Sequence, residues 1–218
     1  MNYKICILSD SDSWINLSIV DLVDYWIKHG FQVKLVHKQE DILAGDFCFI
    51  LGCTQILKES TLKKNKHNLV VHESKLPHGK GWSPLSWQIL EGKNIITISL
   101  FEAEMSVDSG VIYIQEDMRF EGHELVYELR KIQLTHTINL CKQFVSNYPA
   151  VVQNPIKQRG RETFYPKRTP ADSILDINSS ILNQFNLLRI VDNKKYPAYF
   201  EINGCRYKIR IDKVEINI

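Results

Sequence analysis

No stretch of this chain stays apolar long enough to cross a membrane, and the opening MNYKICILSD is too short in apolar residues for a secretory leader. These absences predict a soluble, cytoplasmic protein without a membrane partner. Cysteine pairing is missing as well. The five cysteines, Cys6, Cys48, Cys53, Cys141 and Cys205, are scattered and form no C-x-x-C pair, which argues against a disulfide framework and a structural zinc site. No metal is expected. Charge of one sign is also scarce, since 27 Lys and Arg face 25 Asp and Glu for a net charge of +2, with no dense basic stripe. Nucleic acid is therefore not an expected partner. The sequence has no internal repeat and no low-complexity tract.

What is present reads as alternating strands and helices. Apolar runs at Lys4 to Leu8, Phe31 to Val36, Phe47 to Gly52 and Asn68 to His72 predict four strands. Between them lie a helix with Ile19, Val20, Val23, Trp26 and Ile27 on one side, ended by Gly30, and another from about Gln55 to Asn65. Such alternation predicts an α/β fold with a Rossmann-like, largely parallel sheet covered by helices. A short helix over Leu85 to Leu90, strands at Ile95 to Phe101 and Val111 to Tyr113, and a long helix from about His123 to Asn147 follow. Cys6 and Cys48, inside strands, are read as buried hydrophobes.

Residues 1–172 are expected to form the main domain and 173–218 an appendage. The latter is read as one or two helical pieces within Ser173 to Val191, packing through Ile181, Phe185, Leu187 and Leu188. A small antiparallel piece built from Pro197 to Phe200, Arg206 to Ile211 and Lys213 to Ile218 completes it. Asn203-Gly204 is a hairpin turn signal, because both residues tolerate positive φ. Val214, Ile216 and Ile218 alternate with polar residues, and an apolar edge strand invites pairing, so a homodimer through about 175 to 218 is expected.

In parallel sheets ligands gather beyond the carboxyl ends of the strands, so the segments after Leu8, Leu51 and Val71 should converge. His72 falls there, in VVHESKLPHGKGWSP, and Asp108 follows in a V-D-S-G turn. A histidine and a carboxylate on separate polar loops suit proton handling in acyl transfer. His78, in the glycine-flanked loop, is read as a surface residue. Cys53 sits just past a strand end, but no histidine stands beside it in sequence to activate it.

The stretch from His72 to Gly110 resembles the H-x-S-L-L-P and D-x-G region of the folate-dependent formyltransferases. His72 stands at their catalytic histidine, Ser74 at the signature serine, Leu76-Pro77 at the L-P pair, Gly81 at the following glycine, and Asp108-Ser109-Gly110 at D-T-G. The resemblance implies that His72 and Asp108 are catalytic and that 10-formyltetrahydrofolate is the formyl donor. It implies a donor pocket lined by Gly52, Cys53, Thr54, Gln55 and Ile56 from DFCFILGCTQILKESTL, with Phe101 and Val107 beside it. It departs from this chain at Val70, where the family has an asparagine that donates to the oxyanion.

GHELVYELR and FYPKRTPADSILD resemble stretches of the bacterial sugar N-formyltransferases. The methionyl-tRNA enzyme is disfavoured for want of its larger carboxyl-terminal barrel. The glycinamide ribonucleotide enzyme is disfavoured because SDSDSWIN stands where a G-x-G-S-N phosphate loop would be. The expected acceptor is a nucleotide-linked 4-amino-4,6-dideoxysugar, UDP- or dTDP-linked, of the kind that leads to pseudaminic acid-type cell-surface glycans. Ser74, Lys80, Gly81, Trp82, Tyr165, Lys167 and Arg168 are its expected contacts, the cations for a diphosphate and the aromatics for stacking. Val70 leaves two alternatives open, a noncatalytic folate or sugar-nucleotide binding module and a hydrolase that releases formate.

Overall fold

The structure is a computed structural model and describes residues 2–214. Its centre is a six-stranded sheet formed by β1 (Lys4–Leu8), β2 (Gln32–Val36), β3 (Gly45–Ile50), β4 (Asn65–His72), β6 (Ile95–Glu102) and β7 (Ile112–Arg119), in the order β2-β1-β3-β4-β6-β7. The pairs of β1 with β2, β1 with β3 and β3 with β4 are parallel, and those of β6 with β4 and with β7 are antiparallel. The largely parallel, helix-covered sheet predicted from the sequence is thus present. Between β4 and β6 lie the two-residue β5 (Lys80–Gly81) and α3 (Pro84–Leu90).

One face of the sheet is buried under α1 (Asn16–Lys28) and α4 (Val126–Asn147). Trp26 of α1 packs on Phe49, and Phe144 of α4 meets both Phe47 and Phe49 edge-on. Within α1 the buried residues are Ile19, Leu22 and Trp26, spaced as one face of a 3.6-residue helix requires. Val20 and Ile27, expected on that face, are exposed instead. The opposite face carries a thinner cover, with Cys6, Leu8, Val36, Cys48 and Ile50 beneath Ile42 and Leu57. Cys6 and Cys48 are buried free thiols side by side on β1 and β3, as read from the sequence.

Three elements differ from expectation. The helix expected over Gln55 to Asn65 shrinks to α2 (Glu59–Leu62). Residues before it are held extended by Gln39, whose N–H donates to Gln55 Oε1 at 3.1 Å and whose Oε1 accepts from Lys58 N at 3.1 Å. The strand expected at Val111 to Tyr113 runs on to Arg119, its half-exposed polar positions having hidden the pattern. In the tail only α5 (Phe185–Ile190) is α-helical, and Ile181 is exposed. Gln184 binds both the N–H and the carbonyl of Asp176, which closes residues 176–184 into turns.

Two strands of the tail form a hairpin, β9 (Ala198–Ile202) with β10 (Cys205–Ile209), turning at Asn203 and Gly204, both at positive φ. It packs with α5 through Leu188, Val191 and Ala198, with Ile209 and Ile211 against them. Arg189 reaches back as a buried cation, donating to Glu124 Oε2 at 2.9 Å. The terminal strand read over Lys213 to Ile218 falls on residues 215–218, outside those described, while Lys213 and Val214 lie in no strand. Among the described residues no helix is long and apolar enough to cross a membrane.

Candidate active site

Beyond the carboxyl ends of β1, β3 and β4 opens a cavity of about 710 Å³. His72 ends β4, where successive side chains leave a strand on opposite faces. His72 therefore stands with Val70 on the thinly covered face, and Glu73 with Val71 on the face of α1 and α4. The cavity straddles this edge. Ile50, Leu57, Val70, Phe101 and Ala103 wall one half, while Trp14, Val71, Leu129 and Arg130 wall the other.

The His72 ring is buried, and its Nε2 lies 2.8 Å from the carbonyl oxygen of Gly79. A carbonyl only accepts, so Nε2 carries a hydrogen in this arrangement and Nδ1 holds the lone pair of the neutral ring. Asp108 Oδ2 stands 3.8 Å from the same Nε2 and accepts the Gly81 N–H at 2.8 Å. The structure therefore brings the two residues together from loops thirty-six positions apart. The separation exceeds a direct hydrogen bond, and the carboxylate acts on the ring through charge.

The turn that carries Asp108 is built tightly. Asp108 itself has φ +50, and a Cβ added at Gly110 would lie 1.8 Å from the backbone oxygen of Glu102, so only glycine fits. A single amide group closes the turn, since Gln158 Nε2 donates to the carbonyls of Asp108 and Gly110, each at 2.8 Å. Gln158 belongs to an excursion that also straps the histidine loop. There β8 (Phe164–Tyr165) pairs in parallel with β5, and Thr163 Oγ1 accepts the Gly79 N–H. Nothing in the sequence marked Gln158, because a lone polar residue in a loop carries no period or motif.

The backbone donors of the histidine loop are consumed as well, three of the five by this strap. The N–H groups of His78, Gly79, Lys80, Gly81 and Trp82 go to Lys75 O, Thr163 Oγ1, Thr163 O, Asp108 Oδ2 and Tyr165 O. None of those five is free for an oxyanion. Val70, beside Phe101 across the β4–β6 pair, supplies none either. Asn68 is buried and donates to the Leu62 carbonyl.

Gly52, Cys53, Thr54, Gln55 and Ile56 all line the cavity, as do Phe101 and Val107. What holds this loop was not foreseen. Asp10 accepts from Thr54 N at 2.8 Å, Thr54 Oγ1 at 2.7 Å, Gln55 Nε2 at 3.1 Å and Cys53 Sγ at 3.4 Å. Burial works against its ionisation, yet these donors outweigh it and hold Asp10 below the usual carboxylate range. Burial and the nearby Asp10 push the Cys53 thiol up to about 12, so Cys53 is no nucleophile at neutral pH. Gly52 has φ +57, and a Cβ there would come 2.4 Å from Ser13 Oγ. Asp10→Asn should speed hydrogen exchange of the Thr54 amide by about tenfold, the worth of one charge-assisted hydrogen bond. Because the Asp10 pKa is lowered on folding, that protection is present above the unfolded-state pKa and is lost as pH falls through the folded one. Equal exchange in both proteins would show the loop is held by other contacts.

Gly81, Trp82, Lys167 and Arg168 line the other half of the cavity. Lys167 Nζ sits 4.9 Å from the centre of the Trp82 ring, and Arg168 is bonded only to neutral oxygens of Asp172 and Ser173. Burial lowers the Arg168 pKa. Three expected contacts lie elsewhere. Lys80 is 2% exposed and spends its charge on Glu162, 2.6 Å away. Ser74 is fully buried, its carbonyl accepting from Ser99 Oγ at 2.6 Å, so it shapes the turn. Tyr165 stacks on Trp87 and donates to Glu91 at 2.8 Å, so it braces the strap. His78 is exposed, as expected. Trp14, Arg130, Lys195 and Tyr196 also line this half. Among the described residues no group of three or more His, Cys, Asp or Glu is placed to hold a metal ion.

No protein-family model matches the chain. Among curated proteins it is 28% identical over 167 residues to the bifunctional polymyxin resistance protein ArnA of Wigglesworthia glossinidia brevipalpis, covering 72% of this chain and 24% of that protein. It is 26% identical over 185 residues to the methionyl-tRNA formyltransferase of Mycoplasma capricolum, covering 83% and 58%. The chain thus spans well under two thirds of these relatives. Of solved structures, the methionyl-tRNA formyltransferase of Clostridium thermocellum superposes with a TM-score of 0.81 at 17% identity, covering 97% of this chain and 93% of that one. A 4-N formyltransferase from Francisella tularensis gives 0.77 at 16%, covering 98% and 99%. HypX from Aquifex aeolicus in complex with tetrahydrofolic acid gives 0.79 at 16%, covering 94% and 37%.

Proposed function

From a formyltransferase fold related to both the methionyl-tRNA and the sugar N-formyltransferases, we propose that this chain is a sugar N-formyltransferase. It moves the formyl group of 10-formyltetrahydrofolate to the amine of a nucleotide-linked 4-amino-4,6-dideoxysugar, UDP-linked in the pseudaminic acid-type reading. The observation that carries this reading is His72 and Asp108 meeting at the junction of a cavity with two unlike halves. The half walled by Val70 and Phe101 and edged by Gly52 to Ile56 suits a flat, amide-bearing heterocycle such as a pterin. The half edged by Lys167, Arg168 and Trp82 suits a diphosphate and a base. Arg168 hydrogen-bonds to the Asp172 carbonyl and Ser173 Oγ and feels the Asp172 carboxylate only through charge, and its fork suits an anion.

His72 carries a proton between the attacking nitrogen and the leaving nitrogen. It does so at Nδ1, which holds the ring's lone pair while the Nε2–H is spent on Gly79 O. Exposed Ile177, Ile181, Leu182 and Tyr207 support self-association through the tail. The test is incubation of the protein with 10-formyltetrahydrofolate and a panel of UDP- and dTDP-linked amino sugars, followed by mass spectrometry. A gain of one formyl group on a 4-amino sugar is expected, and no gain on any acceptor would refute the reading. Val70 favours a second reading, binding without transfer or hydrolysis to formate, because it removes a donor worth about 3 kcal/mol in comparable sites.

A further inference from the structure

The residue after His72 is a glutamate whose surroundings are unlike those of the other carboxylates in the site. Asp10 is held by four donors, Asp108 by the Gly81 N–H, and Asp192 by Arg130 at 2.8 Å. Glu73 takes part in none of the ion pairs found among the described residues. It lines the acceptor half of the cavity, and its carboxyl group accepts from Gln133 Nε2 of α4 at 2.7 Å and interacts with its own backbone N–H. Its backbone is fixed too, the carbonyl accepting from Gln88 Nε2 at 2.6 Å. Gln133 thus orients the carboxyl group, and no cation among the described residues pairs with it.

Burial pushes the Glu73 pKa up, His72 partly offsets that, and Asp108 adds to it. Those influences show that it lies within electrostatic reach of both. Arg130 of α4 lines the same half, but its guanidinium is committed to Asp192 and to the Trp14 ring, 5.6 Å away. His72, for its part, has Nε2–H directed at Gly79 and is poorly set to receive a first proton there. A substrate amine that arrives as an ammonium ion needs a base before it can attack.

We propose that Glu73 is a catalytic residue that binds the acceptor's ammonium group and takes its first proton, an inference that rests on the amine-formylating reading above. The Glu73 carboxylate removes one proton, leaving the free amine and a carboxylic acid. The amine lone pair then forms the new C–N bond, and the carbonyl electrons move to its oxygen. On collapse the bond from carbon to N10 breaks, and the proton shed by the attacking nitrogen passes through His72 to N10. The proton on Glu73 leaves to water, so that ammonium and formyl donor yield formamide, tetrahydrofolate and one proton. A carboxyl group whose proton affinity is raised by burial suits this exchange.

Glu73→Gln tests this, because the amide keeps an oxygen for Gln133 and removes only the titration. With a nucleotide 4-amino sugar that the wild type formylates, kcat/KM of the variant should fall by about 100-fold in mildly acidic buffer. The deficit should shrink as pH rises and the acceptor deprotonates unaided, a trend that a packing defect would not produce. A second readout needs no substrate. The raised folded pKa means that wild-type stability is fullest below the unfolded-state pKa and is lost as pH rises through the folded one, so the melting temperature of the variant should gain on the wild type with rising pH. Activity of Glu73→Gln equal to wild type at every pH, or a uniform deficit, would overturn the assignment with the transferase reading intact. A wild type inactive on every acceptor would instead sink that reading and the assignment with it.

Discussion

His72→Ala should lower formyl transfer by about 100-fold or more at saturating substrates while leaving the fold and the donor pocket in place. On the proposed reading the loss falls in kcat, because His72 would then carry the proton of the reacting nitrogens rather than wall the donor pocket. Two contributions leave together. The proton carrier between the two nitrogens disappears, and Gly79 O loses its partner 2.8 Å away. The N–H groups from His78 to Trp82 cannot take its place, since they are committed elsewhere. Affinity for 5-formyltetrahydrofolate, measured by calorimetry, should change little. Transfer equal to wild type would remove His72 from the chemistry.

Asp108→Asn should cost on the order of 30-fold or more, again in kcat, by removing the negative charge 3.8 Å from the His72 ring. The amide can still present an oxygen to the Gly81 N–H, and Gln158 holds the turn through main-chain carbonyls that the substitution leaves alone. Geometry is therefore kept and charge is tested. A loss smaller than threefold would exclude Asp108 from the mechanism.

Much of this arrangement was legible because it is written in local pattern. The parallel strands appear as near-continuous apolar runs, and β1 falls on the very residues expected, Lys4–Leu8. His72 and Asp108 were singled out by residue type and by the motifs that resemble the formyltransferases, and the structure brings them to 3.8 Å. What escaped notice depends on side chains that travel far. Gln158 reaches across forty-eight residues to Gly110, and Asp10 across forty-four to Thr54, and no periodicity announces either. Lys80 misled for the opposite reason. A lysine between glycines reads as a free cation, yet the strap brings Glu162 against it and buries both its charge and its stem. Ile181 belongs to an apolar spacing that suits a helix, but Gln184 and Asp176 tie the backbone into turns first.

The most direct measurement follows the formyl carbon itself. 10-Formyltetrahydrofolate carrying ¹³C at the formyl group is mixed with the protein and a nucleotide-linked 4-amino-4,6-dideoxysugar, and the fate of the label is read by carbon NMR. A formamide resonance on the sugar is expected that grows as the donor signal decays and is absent with His72→Ala. Label appearing as formate, or remaining on the folate while the protein binds it, would contradict transfer to the sugar.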